Sequence, residues 1–150
     1  MSDRIVSKTM SGRRILSVLP HRSVWEAASI MNQTNHSSVL VLDHDSRLLG
    51  IITERDMTAR VIAAGLNPEI STARDIMTAD PDTLSPNDTA ADAIRMMKLH
   101  NYRHLPVVND DGVLLGILSI RNLLQAKIDD LTQQLDSIEV AMSNDAPGGD

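Results

Sequence analysis

"LLGIITERDM" occupies residues 48–57 and "LLGILSIRNL" occupies residues 114–123. The two stretches share Leu-Leu-Gly-Ile and an arginine, then part at Asp56 and Asn122. A shift of 66 residues superposes them, and the match runs far beyond the ten residues quoted. Pro20 falls on Pro86, Ala27 on Ala93, Met31 on Met97, Asn35 on Asn101, Val41 on Val107, Asp45 on Asp111 and Ile62 on Ile128. Between Pro20 and Ile62 no gap is needed. The period is longer than a solenoid repeat, and two copies are too few for one. The pattern is that of a duplicated small domain.

Each copy carries the same plan. "RILSV" (14–18) has the composition of a short strand. In "SVWEAASIMNQ" (23–33), Val24, Ala27, Ala28 and Met31 mark one helical face, as Ala90, Ala93, Ile94 and Met97 do in the second copy. Ser23 and Thr89 are the expected N-caps. "SVLVL" (38–42) and "HLPVV" (104–108) are β-rich, and "DHDS" and "NDDG" supply turns. "LLGIIT" and "VLLGILS" then pair back as hairpins, and a helix starts near Arg55 or Arg121. The expected fold is α+β: two β-α-β-β-α repeats packed with pseudo-twofold symmetry, plus a C-terminal helical extension. The expected spans are 5–66 and 70–128 for the repeats, 129–142 for the extension and 143–150 for a polar, disordered tail. "AAGLNPEIS" (63–71) is the expected linker, with Gly65 ending a helix. A unit of this size is marginal alone, which explains why two pack together.

Composition narrows the function. Net charge is −6 and the bases are scattered, which argues against nucleic-acid binding. Cysteine is absent, which removes disulfides, thiolate catalysis and thiolate-bound zinc. No apolar run of about 18 residues can span a membrane, and the N-terminus lacks the apolar stretch of a signal peptide. The expectation is a cytoplasmic protein. Phe is absent and Trp25 and Tyr102 are the sole aromatics, so a bound flat ring would be held mostly by aliphatic groups. Met31, Met57, Met96 and Met97 read as core filler.

The combination of "DIMTADPDTLSPNDT" (75–89), "HLPVV" (104–108) and Gly-h-h-[Ser/Thr]-x-x-[Asp/Asn] at Gly50–Asp56 and Gly116–Asn122 resembles a tandem pair of cystathionine-β-synthase (CBS) domains, often called a Bateman module. It is most similar to the pairs of stand-alone bacterial proteins. The resemblance implies a regulatory module binding AMP, ADP, ATP or S-adenosylmethionine in clefts between the repeats. It implies no required cofactor besides that regulatory ligand. It places phosphate and ribose contacts at Thr53 and Asp56 in one copy and at Ser119 and Asn122 in the other. It assigns Tyr102, Arg103 and His104, before Leu105-Pro106, to base and phosphate, and Thr78 to the start of the adenine pocket. The first copy departs by having Ser37-Ser38 and Val39-Leu40 where the second has Arg103-His104 and Leu105-Pro106.

The residues support a similar chemistry on their own. A strand ending in Ser or Thr just before a helix sets a hydroxyl beside unpaired N–H groups, which suit phosphate. Arg55 and Arg121 add forked donors. Asp56 can accept from two neighbouring hydroxyls, as on a ribose. Thr53 and Asp56 equally fit a capping box that serves the helix itself, and the arginines equally fit solvent or a nearby Asp. The residues alone leave these readings open. His100 and His104 stand four apart, but Pro106 takes His104 out of a helix and no third ligand lies near; no metal is expected. No nucleophile–base set stands out, so the expectation is a non-enzymatic sensor whose output passes to an effector protein. The alternative is a ligand-independent interaction module.

Leu124, Ile128, Leu131, Leu135, Ile138 and Met142 recur in steps of 4, 3, 4, 3 and 4. This is the a/d seam of a helix that pairs with another helix, and it motivates the expectation of a homodimer.

Overall fold

The structure is a computed structural model that describes Val6 and residues 15–145. β1 (Ser17–Val18), α1 (Val24–Thr34), β2 (Ser38–Leu42), β3 (Leu48–Thr53) and α2 (Glu54–Asp56) form the first repeat. A π-helical segment (Met57–Ile62) continues α2. α3 (Ala73–Ile76) and β4 (Thr78–Ala79) follow, then α4 (Ala90–His100), β5 (His104–Val108), β6 (Leu114–Ser119) and α5 (Ile120–Asp145). The expected α+β order is present in both copies. β1 runs parallel to β2 with Val18 opposite Val41, and Leu84 repeats that pairing opposite Val107 as a single bridge. Of the expected strand 14–18, Arg14 lies outside the described residues.

Shared residues in the two copies have shared conformational reasons. Asn35 and Asn101 both end a helix with positive φ, 55° and 56°, a conformation Asn tolerates better than most residues. Ser23 and Thr89 accept from the N–H of Glu26 and Asp92, as N-caps do. In the hairpin turns, Asp43 Oδ1 accepts from the N–H of Asp45 and Arg47, and Asn109 Oδ1 accepts from Asp111 and Val113. The turns also join the repeats. Leu48 N–H donates to Gly112 C=O at 3.1 Å, and Leu114 N–H donates to Ser46 C=O at 2.9 Å.

Among the described residues, β1-β2-β3-β4 form one sheet and β5-β6 another. β4 pairs antiparallel with β3, with Gly50 opposite Ala79. A Cβ on Gly50 would lie 2.5 Å from Met77 Sδ and 2.8 Å from the Thr78 carbonyl oxygen, so glycine is required for this close approach.

Two apolar cores result, and they exchange residues. Val24, Ala27, Met31, Val39, Val41 and Ile52 build the first, and Ala73 and Ile76 of α3 are fully buried in it. Leu84, Ala93, Met97, Leu105, Val107 and Leu118 build the second, and Val6 is fully buried there. Sequence alone grouped 70–76 with the second repeat and Val6 with the first; packing groups each with the other. Periodicity cannot report this, because an apolar residue has the same pattern whichever core receives it. Met31 and Met97 are buried and Met57 and Met96 pack against the cores, as core filler would.

α5 differs from its expected extent. It is one continuous helix of 26 residues, so Ser143, Asn144 and Asp145 extend it rather than starting a tail. Residues 146–150 of that expected tail lie outside the described residues. Among the described residues no helix is long and apolar enough to cross a membrane.

Candidate functional site

Both Ser/Thr-x-x-Asp/Asn motifs fold as closed rings. Thr53 N–H donates to Asp56 Oδ2 at 2.9 Å, the Thr53 hydroxyl donates to the same oxygen at 3.1 Å, and Asp56 N–H donates back to Thr53 Oγ1 at 3.2 Å. Ser119 and Asn122 repeat this: Ser119 N–H and hydroxyl donate to Asn122 Oδ1 at 3.0 and 2.7 Å, and Asn122 N–H donates to Ser119 Oγ at 3.0 Å. One side-chain oxygen closes the ring, which either Asp or Asn can supply. Asp56 keeps a second oxygen and a charge that the ring does not use. That oxygen lies 3.8 Å from Arg60 Nε, and Asp56 is 9% exposed. The capping reading therefore holds in both copies.

A cavity of about 660 Å³ opens beside the first ring. Ser37, Ser38, Thr53, Arg55, Asp56 and Thr78 line it, together with Tyr102, Arg103, His104 and Pro106. The first group comes from β2, β3, α2 and β4, and the second from the entry to β5 and β5 itself. The sequence motifs had assigned Tyr102, Arg103 and His104 to the Ser119–Asn122 copy. The structure instead sets them across from Thr53 and Asp56, because the cleft is composite: each wall is made by a different repeat. Ser119, Arg121 and Asn122 do not line this cavity.

Sequence reasoning missed Glu54, Pro81, Asp82 and Asn101 on its wall, along with apolar Ile51 and Leu105. Asn101 and Glu54 are direct neighbours of motif residues, so adjacency was an available signal. Asp82 carried none. Its role appears only in space, where Tyr102 OH donates to Asp82 Oδ2 at 3.4 Å and His100 Nε2 lies 3.4 Å from the same oxygen. The His100 and Tyr102 rings stack with centroids 5.2 Å apart. Burial, with Asp82 beside it, raises the Tyr102 phenol above its ordinary range, so it stays a neutral donor. An aromatic wall is thus present after all, beside aliphatic Ile51, Pro81, Leu105 and Pro106.

His104 is pushed below the usual histidine range, first by burial, then by His36, Arg103 and Arg121 nearby. His36 of the first repeat and Arg103 and Arg121 of the second therefore gather where β5 enters the cleft. Arg103 also ties the cavity to α5, since its carbonyl accepts from Ile120 N–H at 2.8 Å. Ser37 C=O accepts equivalently from Glu54 N–H at 3.0 Å.

A smaller, mostly apolar space of about 60 Å³ adjoins it, sharing Ser37, Ser38, Ile51, His104 and Pro106 with the large cavity and adding Leu16, His36, Leu40 and Ile117. The counterpart of Thr78 is Gly12, outside the described residues. Among the described residues no three His, Cys, Asp or Glu side chains group as a metal site.

Comparison with known proteins bears on both fold and site. A protein of Acidianus ambivalens without an assigned activity is 36% identical over 122 residues, covering 81% of this chain and 72% of its own length. A CBS-domain protein of Agrobacterium tumefaciens has a crystal structure with a TM-score of 0.69 and 30% identity, covering 82% of this chain and 98% of that one. CBSX2 crystallised with AMP has a TM-score of 0.71 at 24% identity, a likeness of fold, covering 84% of this chain and 97% of that one. The family model described as "CBS domain" matches twice, at residues 6–63 and 73–129, and the chain belongs to the CBS-domain family as a tandem pair.

Proposed function

We propose that this chain is a non-enzymatic regulatory module. It binds an adenosine-containing ligand (AMP, ADP, ATP or S-adenosylmethionine) in the composite cavity and passes occupancy to an effector protein. One observation carries this reading: a carboxylate and hydroxyl from one repeat share a cavity with bases from the other. Asp56 holds the ribose hydroxyls, since a carboxylate is acceptor-only and its second oxygen is outside the cap. Arg55 and Arg103 hold phosphate, for which the guanidinium fork is suited. Tyr102, Pro81 and Ile51 bracket the ring. The AMP complex of CBSX2, a protein of the same fold, supports the ligand class.

Transmission follows from the Arg103–Ile120 hydrogen bond. A ligand gripped by Arg103 draws on the strand end that anchors the first turn of α5. Preferential binding to one orientation shifts the population toward it.

The test is a thermal-shift panel of the four ligands at about millimolar concentration. A ligand at roughly 100 times its Kd adds about 2.7 kcal/mol, a shift of several degrees for a chain of this size. Stabilisation by at least one, without turnover, supports the proposal. No shift with any of them overturns it.

A further inference from the structure

Arg60 touches two walls of the large cavity from behind without lining it. It lies on the π-helical segment that follows α2. Its Nε stands 3.8 Å from Asp56 Oδ1, the oxygen that the Thr53 ring leaves out. Its Nη1 donates to the carbonyls of Ile76 at 3.1 Å and Met77 at 2.8 Å. Those carbonyls stand at the C-terminal end of α3 and lead directly into Thr78 on the cavity wall. Carbonyls at a helix C-terminus lack partners within the helix, and a cationic side chain suits them. A guanidinium is planar, with its donors fixed in a fork, so it can hold a carboxylate at one edge and carbonyls at another.

The second copy lacks this arrangement. The position 66 residues on from Arg60 is Ala126, buried in the long α-helix α5. It accompanies Asn122. Carboxylate and arginine thus occur together in one copy and are both replaced in the other. The cap explains neither, because Asn122 closes the same ring with no arginine beside it in sequence register. As a surface ion pair, Asp56–Arg60 would count for little. Here backbone carbonyls of a different element anchor the arginine, which fixes where its charge lies.

We propose that Arg60 is a positioning residue for the nucleotide site. It sets the free Asp56 oxygen toward the ribose hydroxyls and locks Asp56 to the segment that carries Thr78, so the two walls keep one spacing. The proposal rests on the nucleotide reading of the cavity.

Calorimetric titration of AMP and of 2′-deoxy-AMP into the full chain tests it. Wild type should bind AMP about tenfold more tightly than 2′-deoxy-AMP, the difference expected of one hydrogen bond to a charged group. Arg60→Met removes the fork at similar length, and the ratio should fall to about threefold or less. Arg60→Lys keeps the charge without the fork and should fall between; should one variant fold poorly, the other carries the test. In an Asp56→Asn background, Arg60→Met should change the ratio little further, because residues that act through one contact are not additive. A merely structural Arg60 would weaken both nucleotides alike. A wild-type ratio in the Arg60 variants, or an equal effect of Arg60→Met with and without the Asp56 carboxylate, would therefore overturn the proposal. Wild type that binds AMP with no preference over 2′-deoxy-AMP would overturn it too, while leaving nucleotide binding in place. Wild type that binds neither would overturn the nucleotide reading and this proposal with it.

Discussion

The two copies keep the same scaffold and differ at the cleft. Caps, hairpin turns and the Ser/Thr-x-x-Asp/Asn rings superpose residue for residue, down to Asn35 and Asn101 at positive φ. The cleft walls do not. The Thr53–Asp56 side opens on a cavity of about 660 Å³ with acids and bases; at the positions 66 residues away, Leu16 stands for Asp82, His36 for Tyr102, Leu40 for Pro106 and Asn122 for Asp56. The copies agree where the backbone requires a residue and differ at these wall positions. Asp56 and Asn122 mark that boundary. As caps they are interchangeable; as partners for two hydroxyls they are not.

The largest effect should come from the exchanged cores. Ile76 is fully buried in the first core although it follows the linker. Ile76→Ala should cost about 2–5 kcal/mol by denaturant unfolding. If it leaves the first repeat's unfolding unchanged, the exchange is not an energetic one.

Next is the close approach of β4 to β3 at Gly50. Gly50→Ala should cost about 1–3 kcal/mol, since a Cβ there meets the Thr78 carbonyl as well as a flexible methionine. It should also weaken ligand binding, because β4 carries Thr78 to the cavity wall. Equilibrium unfolding and ligand titration together check both halves.

Smaller and more discriminating are the paired cap deletions. Thr53→Ala and Ser119→Ala should each cost about 1 kcal/mol. Only Thr53→Ala should also reduce nucleotide affinity. Equal losses of affinity would erase the distinction between the copies.

The smallest effect is with pH. The folded His104 has its pKa depressed, so the unfolded chain binds the extra proton first. Stability from this group is fully present above the unfolded histidine pKa of about 6.5, and is lost as pH falls through the depressed folded value. Against His104→Gln, the wild type should therefore lose stability modestly below neutrality. Urea midpoints measured across that range would show it.

Much of this was open to the sequence. The repeat, the element order and the caps follow from local pattern, because turns, caps and amphipathic faces are short-range physics; the candidate cavity residues Thr78, Tyr102, Arg103 and His104 come from the family resemblance instead. Three things were not open to it. Val6 and Ile76 change cores without changing their pattern. Arg103 and His104 line a cavity with Asp56, because the cleft is assembled between repeats and a motif cannot say which wall it faces. Asp82 is an unremarked acid until Tyr102 and His100 are brought to it.

Asp56→Asn tests the account most directly, because the second copy already demonstrates the outcome for the cap. Asn122 closes the same ring with its single oxygen. The substitution should therefore leave thermal stability nearly unchanged while removing the charge and the second acceptor. Calorimetric titration of AMP into wild type and Asp56→Asn is predicted to show at least a tenfold loss of affinity with little change in melting temperature. Unchanged affinity would mean that Asp56 serves the helix alone and that the cavity does not use it to hold a ribose.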